Sequence, residues 1–168
     1  MGKAILYCAV TADGFIAREN GSVDFLPLPP KDSGFDRFFE SVDTLIMGRK
    51  TYEQTLGFGI WPFAGKRCFV ASSKKGSDDR VEFTKDAVRT VKELKENHNI
   101  WIVGGAILNS ALIKEKLIDE VKLTVVPVIL GRGIHLFDKQ EEFSLEFLSA
   151  VIEPLGMVEI SYKVKYNH

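Results

Sequence analysis

Only two cysteines and three histidines occur among the 168 residues of this chain, and its formal net charge is −1. Cys8 and Cys68 each sit inside an apolar strand-like run. Two such residues make neither a disulfide framework nor a zinc site of paired cysteines, and both read as plain buried thiols. His98, His135 and His168 have no Asp, Cys or second His at ligand or triad spacing, which leaves them as surface or turn residues and predicts no metal site. A charge this close to zero provides no global field for nucleic acid or an anionic membrane, so any anion site has to be local. No apolar stretch reaches the roughly 20 residues that span a bilayer. The start, MGKAILYCAV, runs straight into TADG without the long apolar region and cleavage site of a signal peptide, so a cytoplasmic protein is expected. The dinucleotide fingerprint G-x-G-x-x-G is also missing.

What the chain does have is a hydrophobic fraction of 45% with twelve Phe spread along it, the composition of a folded domain. Its length predicts one domain over residues 1–168. Apolar runs too short for helices recur at Ala4–Val10, Thr44–Met47, Cys68–Ala71, Ile100–Val103 and Val121–Val126, bounded by Gly, Asp or Ser, and read as buried strands. Helical patterns fall between them: Phe35, Phe38 and Phe39 on one face, then Thr51–Leu56, Asp86–Glu96 with Asp86 as N-cap, and Ala106–Lys116. Strands separated by single helices predict an α/β fold with a mostly parallel central sheet covered on both faces. Glu142–Phe147 and Val158–Tyr166 follow with no helix between them, and the last alternates strictly, which predicts an antiparallel, half-exposed C-terminal edge. Leu26–Pro30, Gly57–Gly65 and Ser73–Arg80 read as loops.

Two strand ends carry the chemistry. TLIMGRKTY, at 44–52, breaks an apolar strand on Gly48 and follows it at once with Arg49, Lys50 and Thr51. Backbone N–H groups, two cations and a hydroxyl at one place suit a phosphate. IWIVGGAIL, at 100–108, breaks on Gly104-Gly105 and resumes with helical spacing. Two such junctions suggest a dinucleotide, bound beyond the carboxyl ends of the strands. Ser72-Ser73-Lys74-Lys75 lies at a third strand end, and with Arg49 it offers cations and hydroxyls for a 2′-phosphate, favouring NADPH over NADH. Each piece taken alone also reads as an ordinary polar turn.

In order, TADGFIA at 11–17, IMGRKTYE at 46–53, GKRCFVASS at 65–73, DDRV at 78–81, WIVGGAIL at 101–108 and DEVKLTVVPVILGRG at 119–133 resemble the dihydrofolate-reductase-like superfamily over nearly the whole chain. The nearer branch resembles stand-alone relatives of the reductase domain of the riboflavin-biosynthesis deaminase-reductase. The resemblance implies a three-layer sandwich and an NADPH-dependent oxidoreductase. It implies that Ala9 and Ile16 line the nicotinamide pocket, and that Gly48, Arg49, Lys50 and Thr51 take the adenosine phosphates and pyrophosphate. Ser72 and Ser73 would help to hold the 2′-phosphate, while Gly104, Gly105, Ala106 and Ile107 would meet the pyrophosphate at a helix N-terminus, with a cis peptide between the two glycines.

For catalysis the resemblance implies a buried carboxylate on the first helix. Asp32 falls at the matching distance before the Met-Gly-Arg motif and Asp36 one turn later; the plain alternative is that Asp32 caps the helix of Phe35–Phe39. Tyr52 and Trp61 are candidates for the substrate pocket wall, against packing for Tyr52 and pinning of its loop for Trp61. Gly131-Arg132-Gly133 reads as a turn rather than a phosphate loop.

The zinc deaminase signature is absent, and where the riboflavin reductase carries a His- and Arg-rich helix this chain has Phe35-Asp-Arg-Phe-Phe-Glu-Ser, with Arg37 the sole cation. The substrate is thus open between an oxidised pyrimidine of the riboflavin type and dihydrofolate, a small molecule in either case, with no nucleic-acid or membrane partner. A nucleotide-binding module without catalysis is the alternative of another class. A homodimer through the edge strands is implied by the resemblance alone.

Overall fold

Alternation inside the short apolar runs decides the layering of this protein. In Leu45-Ile46-Met47, Ile46 packs on one side of the sheet with Leu6, Ile102, Leu108 and Leu112, while Leu45 and Met47 face the other with Tyr7, Phe38 and Trp101. A strand that buries both faces needs a helical layer on each side, and the chain supplies them. The structure is a computed structural model that describes residues 1–29 and 31–166; Pro30 of the proline-rich loop and His168 lie outside the described residues.

The strands are β1 (Ala4–Thr11), β2 (Phe15–Ala17), β3 (Thr44–Gly48), β4 (Arg67–Ala71), β5 (Glu82–Thr84), β6 (Ile100–Gly104), β7 (Glu120–Val126), β8 (Ile134–His135), β9 (Ser144–Ile152) and β10 (Val158–Lys165). The helices are α1 (Gly34–Ser41), α2 (Arg49–Leu56), α3 (Ala87–Leu94) and α4 (Ala106–Lys114). Eight strands form one sheet in the order β5-β4-β3-β6-β1-β7-β10-β9, in which β10 alone runs against the rest. The α/β three-layer reading with an antiparallel C-terminal edge therefore holds. Three short strands escape a periodicity argument: β5 extends the far edge, and β2 pairs with β8 in a small separate sheet. Two or three residues are too few to show a period.

Val91 and Leu94 of α3, with Leu108, Leu112 and Ile113 of α4, cover one face of the sheet; Phe38 of α1 and Tyr52 of α2 cover the other. Asp86 caps α3 as expected, its Oδ1 accepting from the Arg89 N–H at 3.0 Å. On the second face, Phe35, Phe38, Phe39 and Phe63 surround Trp101 with ring centroids 5.5–6.3 Å apart. The Trp101 indole donates to the Tyr7 carbonyl at 2.9 Å, so its one polar atom is paired.

One expectation about β10 is corrected. The strict alternation places Glu159 and Ser161 on the solvent side, yet both are only 7% exposed. The Glu159 carboxylate lies against the start of α1, where a Cβ built on Gly34 would meet it. The apolar positions occupy the opposite side, with Val164 buried in the α3/α4 core. Every residue of β9 is exposed, as befits the outermost strand.

Ile46 is fully buried in the central strand β3. Ile46→Ala is expected to destabilise the fold by about 2–5 kcal/mol in urea unfolding, the range for a large-to-small change in a close-packed core.

Candidate functional site

The two glycine junctions lie side by side. β3 pairs with β6, and a register shift after Ile46 sets Met47 opposite Gly104, bringing Gly48 beside the Gly104–Gly105 peptide. A methyl built on Gly48 would lie 3.6 Å from the Gly105 nitrogen, and one on Gly105 would lie 3.8 Å from Thr51 Oγ1. That peptide is cis, and Gly104 sits at φ +115°, a conformation that L side chains rarely adopt. The helices that follow these strands leave toward opposite faces of the sheet, α2 on one and α4 on the other. A crevice opens between such diverging helices at the carboxyl ends of the strands.

That crevice is a cleft of about 1800 Å³. It exceeds the roughly 300–1,000 Å³ usual for one small ligand. Ala9, Ile16, Gly48, Arg49, Lys50, Thr51, Ser72, Ser73, Gly105, Ala106 and Ile107 all line it, so the residues singled out for a cofactor come together from four separate segments. Gly104 is buried at its base and is not part of the lining. α2 and α4 both begin on glycine N-caps with no side-chain cap bond, which leaves their first N–H groups free of side-chain partners. Arg49 places Nε 2.9 Å from Glu53 Oε1, while its Nη1 is buried without a partner among the described residues. The guanidinium packs over the Tyr52 and Phe83 rings, so the first residue of α2 carries a buried donor with no acceptor, a group that suits an anion. Lys50, Lys74 and Lys85 add charge on the same side of the cleft.

Asp13 organises the loop that the sequence pointed to at TADGFIA. Its carboxylate accepts from Thr11 Oγ1 at 2.6 Å and from the N–H groups of Leu130 and Gly131 at 3.2 and 2.8 Å. These bonds, the Thr11 hydroxyl first, hold the Asp13 carboxyl below its ordinary value. They also tie the turn before β2 to the backbone of Leu130 and Gly131.

The catalytic expectation for Asp32 is corrected. Asp32 is exposed and does not line the cleft; it sits at φ +57°, and its N–H donates to Asp36 Oδ2 at 2.8 Å. Nor does it cap α1, whose N-cap is Ser33. Asp36 is likewise absent from the lining, its carboxylate turned back to the main chain. The buried acid at this end of the cleft is Glu159 of β10, with Glu153 beside it, together with Tyr7, Thr124 and Ser33. Sequence reasoning missed them because Glu159 lies at a polar position of an alternating strand.

Tyr52 and Trp61 are also corrected as pocket walls, since neither lines the cleft. Tyr52 is buried and donates to Asp78 Oδ2 at 2.6 Å, and its ring meets Trp61 and Phe83 edge-on. Trp61 packs edge-on against Phe63 under the Arg80 guanidinium, 4.6 Å from its centroid, so it pins its loop to the core. Cys68 is buried and Cys8 half-buried along the cleft, and both thiols are free.

Asp78 is the polar centre of that aromatic wall. Its carboxyl is held well below the ordinary aspartate range, first by its hydrogen bonds from Arg80 and then by the one from Tyr52. A carboxyl depressed in the folded state contributes stability above its unfolded value of 3.8 and loses it as pH falls from there through the folded value. Asp78→Asn is therefore expected to lower the melting temperature at pH 7, with the gap from the parent protein closing as the buffer is taken below about pH 4.

Known proteins give the context for this geometry. Residues 65–156 match the family model described as the RibD C-terminal domain. The uncharacterized protein YwjB of Bacillus subtilis is 42% identical over 143 residues, covering 80% of this chain and 82% of YwjB. A putative riboflavin biosynthesis protein from Shewanella sp. PV-4 superposes with a TM-score of 0.84 at 29% identity, covering 98% of this chain and 99% of that one. Dihydrofolate reductase from Enterococcus faecalis, solved with NADP(H), superposes at 0.69 with 19% identity, covering 98% and 97% of the two chains, which shows a shared fold. With a family model matching more than half its length, a close relative and a common sheet, the chain belongs to the RibD C-terminal domain family and has the dihydrofolate-reductase-like fold.

Proposed function

We propose that this protein is an NADPH-dependent reductase acting on a C=N bond of a pyrimidine or pterin-like substrate, of the riboflavin-biosynthesis reductase type, 5-amino-6-(5-phosphoribosylamino)uracil reductase, with dihydrofolate reduction as the rival reading. The observation that carries it is the paired strand ends: two uncapped helix N-termini lining one large cleft, the first of them beginning with Arg49 and its unpartnered Nη1. These groups fit a dinucleotide diphosphate. Ser72, Ser73, Lys74 and Lys85 fit a further phosphate on the ribose, which favours NADPH over NADH.

When bound, the reduced cofactor supplies a hydride to the carbon of the C=N bond while a proton from water goes to the nitrogen, leaving a C–N single bond. The chain's own residues bind, orient and dry the site. Ala9 and Ile16 present apolar surface where the nicotinamide is expected, and the segment Asn20–Pro29 lies over the cleft, with Gln54 Nε2 donating to the Gly21 carbonyl at 2.7 Å to hold it. A nucleotide-binding module would need nothing polar at the other end of the cleft. The buried Glu159 there, hydrogen-bonded to Tyr7, favours the enzyme.

We also propose that two copies pair along β9, in keeping with the expected homodimer. What supports it is an outermost strand with no neighbour on one side, exposing Leu145, Phe147, Val151 and Ile152, with Phe147 62% and Ile152 87% exposed. Sedimentation of the purified protein is expected to give twice the chain mass, and Phe147→Lys together with Ile152→Lys to give a folded monomer. A monomeric parent protein would overturn the pairing.

Titration with NADPH and NADH, followed by nicotinamide fluorescence, is expected to show selective NADPH binding. Arg49→Ala should weaken it roughly 10- to 100-fold, the loss of about 1.5–3 kcal/mol from one charge-assisted hydrogen bond. Equal affinity of parent and variant, or no binding of either cofactor, would overturn the assignment.

A further inference from the structure

The cationic side of the cleft answers to phosphates, but its other end carries acids that such binding does not use. β1, β7 and β10 are neighbours, and their register sets Ala9, Thr124 and Glu159 in one row across the three strands. Strands stand roughly 4.8 Å apart, so the Glu159 backbone lies about 10 Å from Ala9, within reach of one heterocycle against the nicotinamide position. Tyr7 Oη donates to Glu159 Oε2 at 3.1 Å, and Thr124 Oγ1 donates to Tyr7 Oη at 3.5 Å. Glu153 arrives from the link between β9 and β10. A Cβ built on Gly34 would collide with an oxygen of each acid, so both carboxylates converge on the first turn of α1. Ser33, 8% exposed and also part of the lining, has an Oγ with no hydrogen-bond partner among the described residues.

The chemistry of this end is dominated by carboxylate oxygens, which are hydrogen-bond acceptors. Burial pushes the Tyr7 phenol well above its ordinary value, and the Glu159 and Glu153 charges add to the rise, so Tyr7 keeps its proton and directs it at Glu159. The two carboxylates are thus matched by N–H donors of a ligand, and the Ser33 hydroxyl is left to donate or accept beside them. The cations nearest the two acids, Lys122 at 3.6 Å from Glu159 Oε1 and Arg37 at 3.4 Å from Glu153 Oε1, are not part of the lining. Among the described residues, the lysines and arginines that do line the cleft are Arg49, Lys50, Lys74 and Lys85, all on the side of β3 and β4. A substrate phosphate at the Glu159 end would face two carboxylates and no cleft-lining cation.

Resting on the reductase reading but departing from the phosphoribosylated uracil named there as its type substrate, we propose that Glu159, Glu153, Tyr7 and Ser33 form the substrate subsite and select an amino-substituted nitrogen heterocycle that carries no phosphate. Glu159 and Glu153 set the specificity: the N–H groups of the ring bind to them, and a phosphoribosyl group is turned away.

The test is calorimetric titration of the NADPH-loaded protein with 2,4-diaminopyrimidine and with 5-amino-6-ribosylaminouracil bearing or lacking its 5′-phosphate. The expected result is binding of the two unphosphorylated compounds, at least tenfold weaker binding of the phosphorylated one, and a tenfold or greater loss for Glu159→Gln with NADPH affinity unchanged. Glu153→Gln, in a connecting segment, gives the same reading should the β10 variant fail to fold. Equal or tighter binding of the phosphorylated compound, or unaltered binding of all three by both variants, would overturn the subsite and leave the reductase standing. Glu159-dependent binding of 2,4-diaminopyrimidine by a protein that takes no NADPH would support the subsite and sink the reductase.

Discussion

The pairing of β6 with both β3 and β1 is the constraint on which the rest of this structure depends. Inserted between them, β6 sets Gly104 opposite Met47 and so brings two glycine junctions, more than fifty residues apart in sequence, into contact. Because the next helices diverge to opposite faces of the sheet, the gap between them cannot close, and two helix N-termini open onto it. Arg49, at the first position of α2, packs its guanidinium over the Tyr52 and Phe83 rings and leaves a buried Nη1 with no partner among the described residues.

Charge is divided along the cleft. The lysines and the arginine that line it lie toward β3 and β4, where Glu53 and Asp86 line it as well, whereas the end toward β10 holds Glu159, Glu153 and a protonated phenol. A chain with a net charge of −1 has no long-range field, so selection between ligands rests on these local opposites. The aromatic cluster around Trp101 gives them a stiff backing. It fixes α1 against the sheet, and the N-terminus of α1 in turn abuts Glu159 and Glu153.

The sequence was most legible where chemistry and local geometry coincide. Gly48-Arg49-Lys50-Thr51 and Gly104-Gly105 each combine a strand end, a helix start and phosphate-friendly groups within a few residues, and all but the base glycine line the cleft. Tyr52 and Trp61 were less so, because an aromatic near a functional motif looks the same whether it faces ligand or core. The Asp78 and Arg80 that claim them come from a loop some twenty residues on. Asp32 sat at the right distance along the chain and the wrong place in space, since its segment turns outward through a left-handed residue before α1 begins.

By itself the sequence determined the longer strands, the helices, the layering and the glycine junctions that meet in the cleft, because hydrophobic period and glycine chemistry are local properties of the chain. Tertiary structure alone decided which acid enters the cleft. Glu159 occupies a polar slot in an alternating edge-proximal strand, and nothing in that pattern distinguishes a residue facing water from one facing a helix terminus. Burial of a charge is set by what packs over it, and here that cover is Gly34 and the start of α1, more than a hundred residues away in sequence.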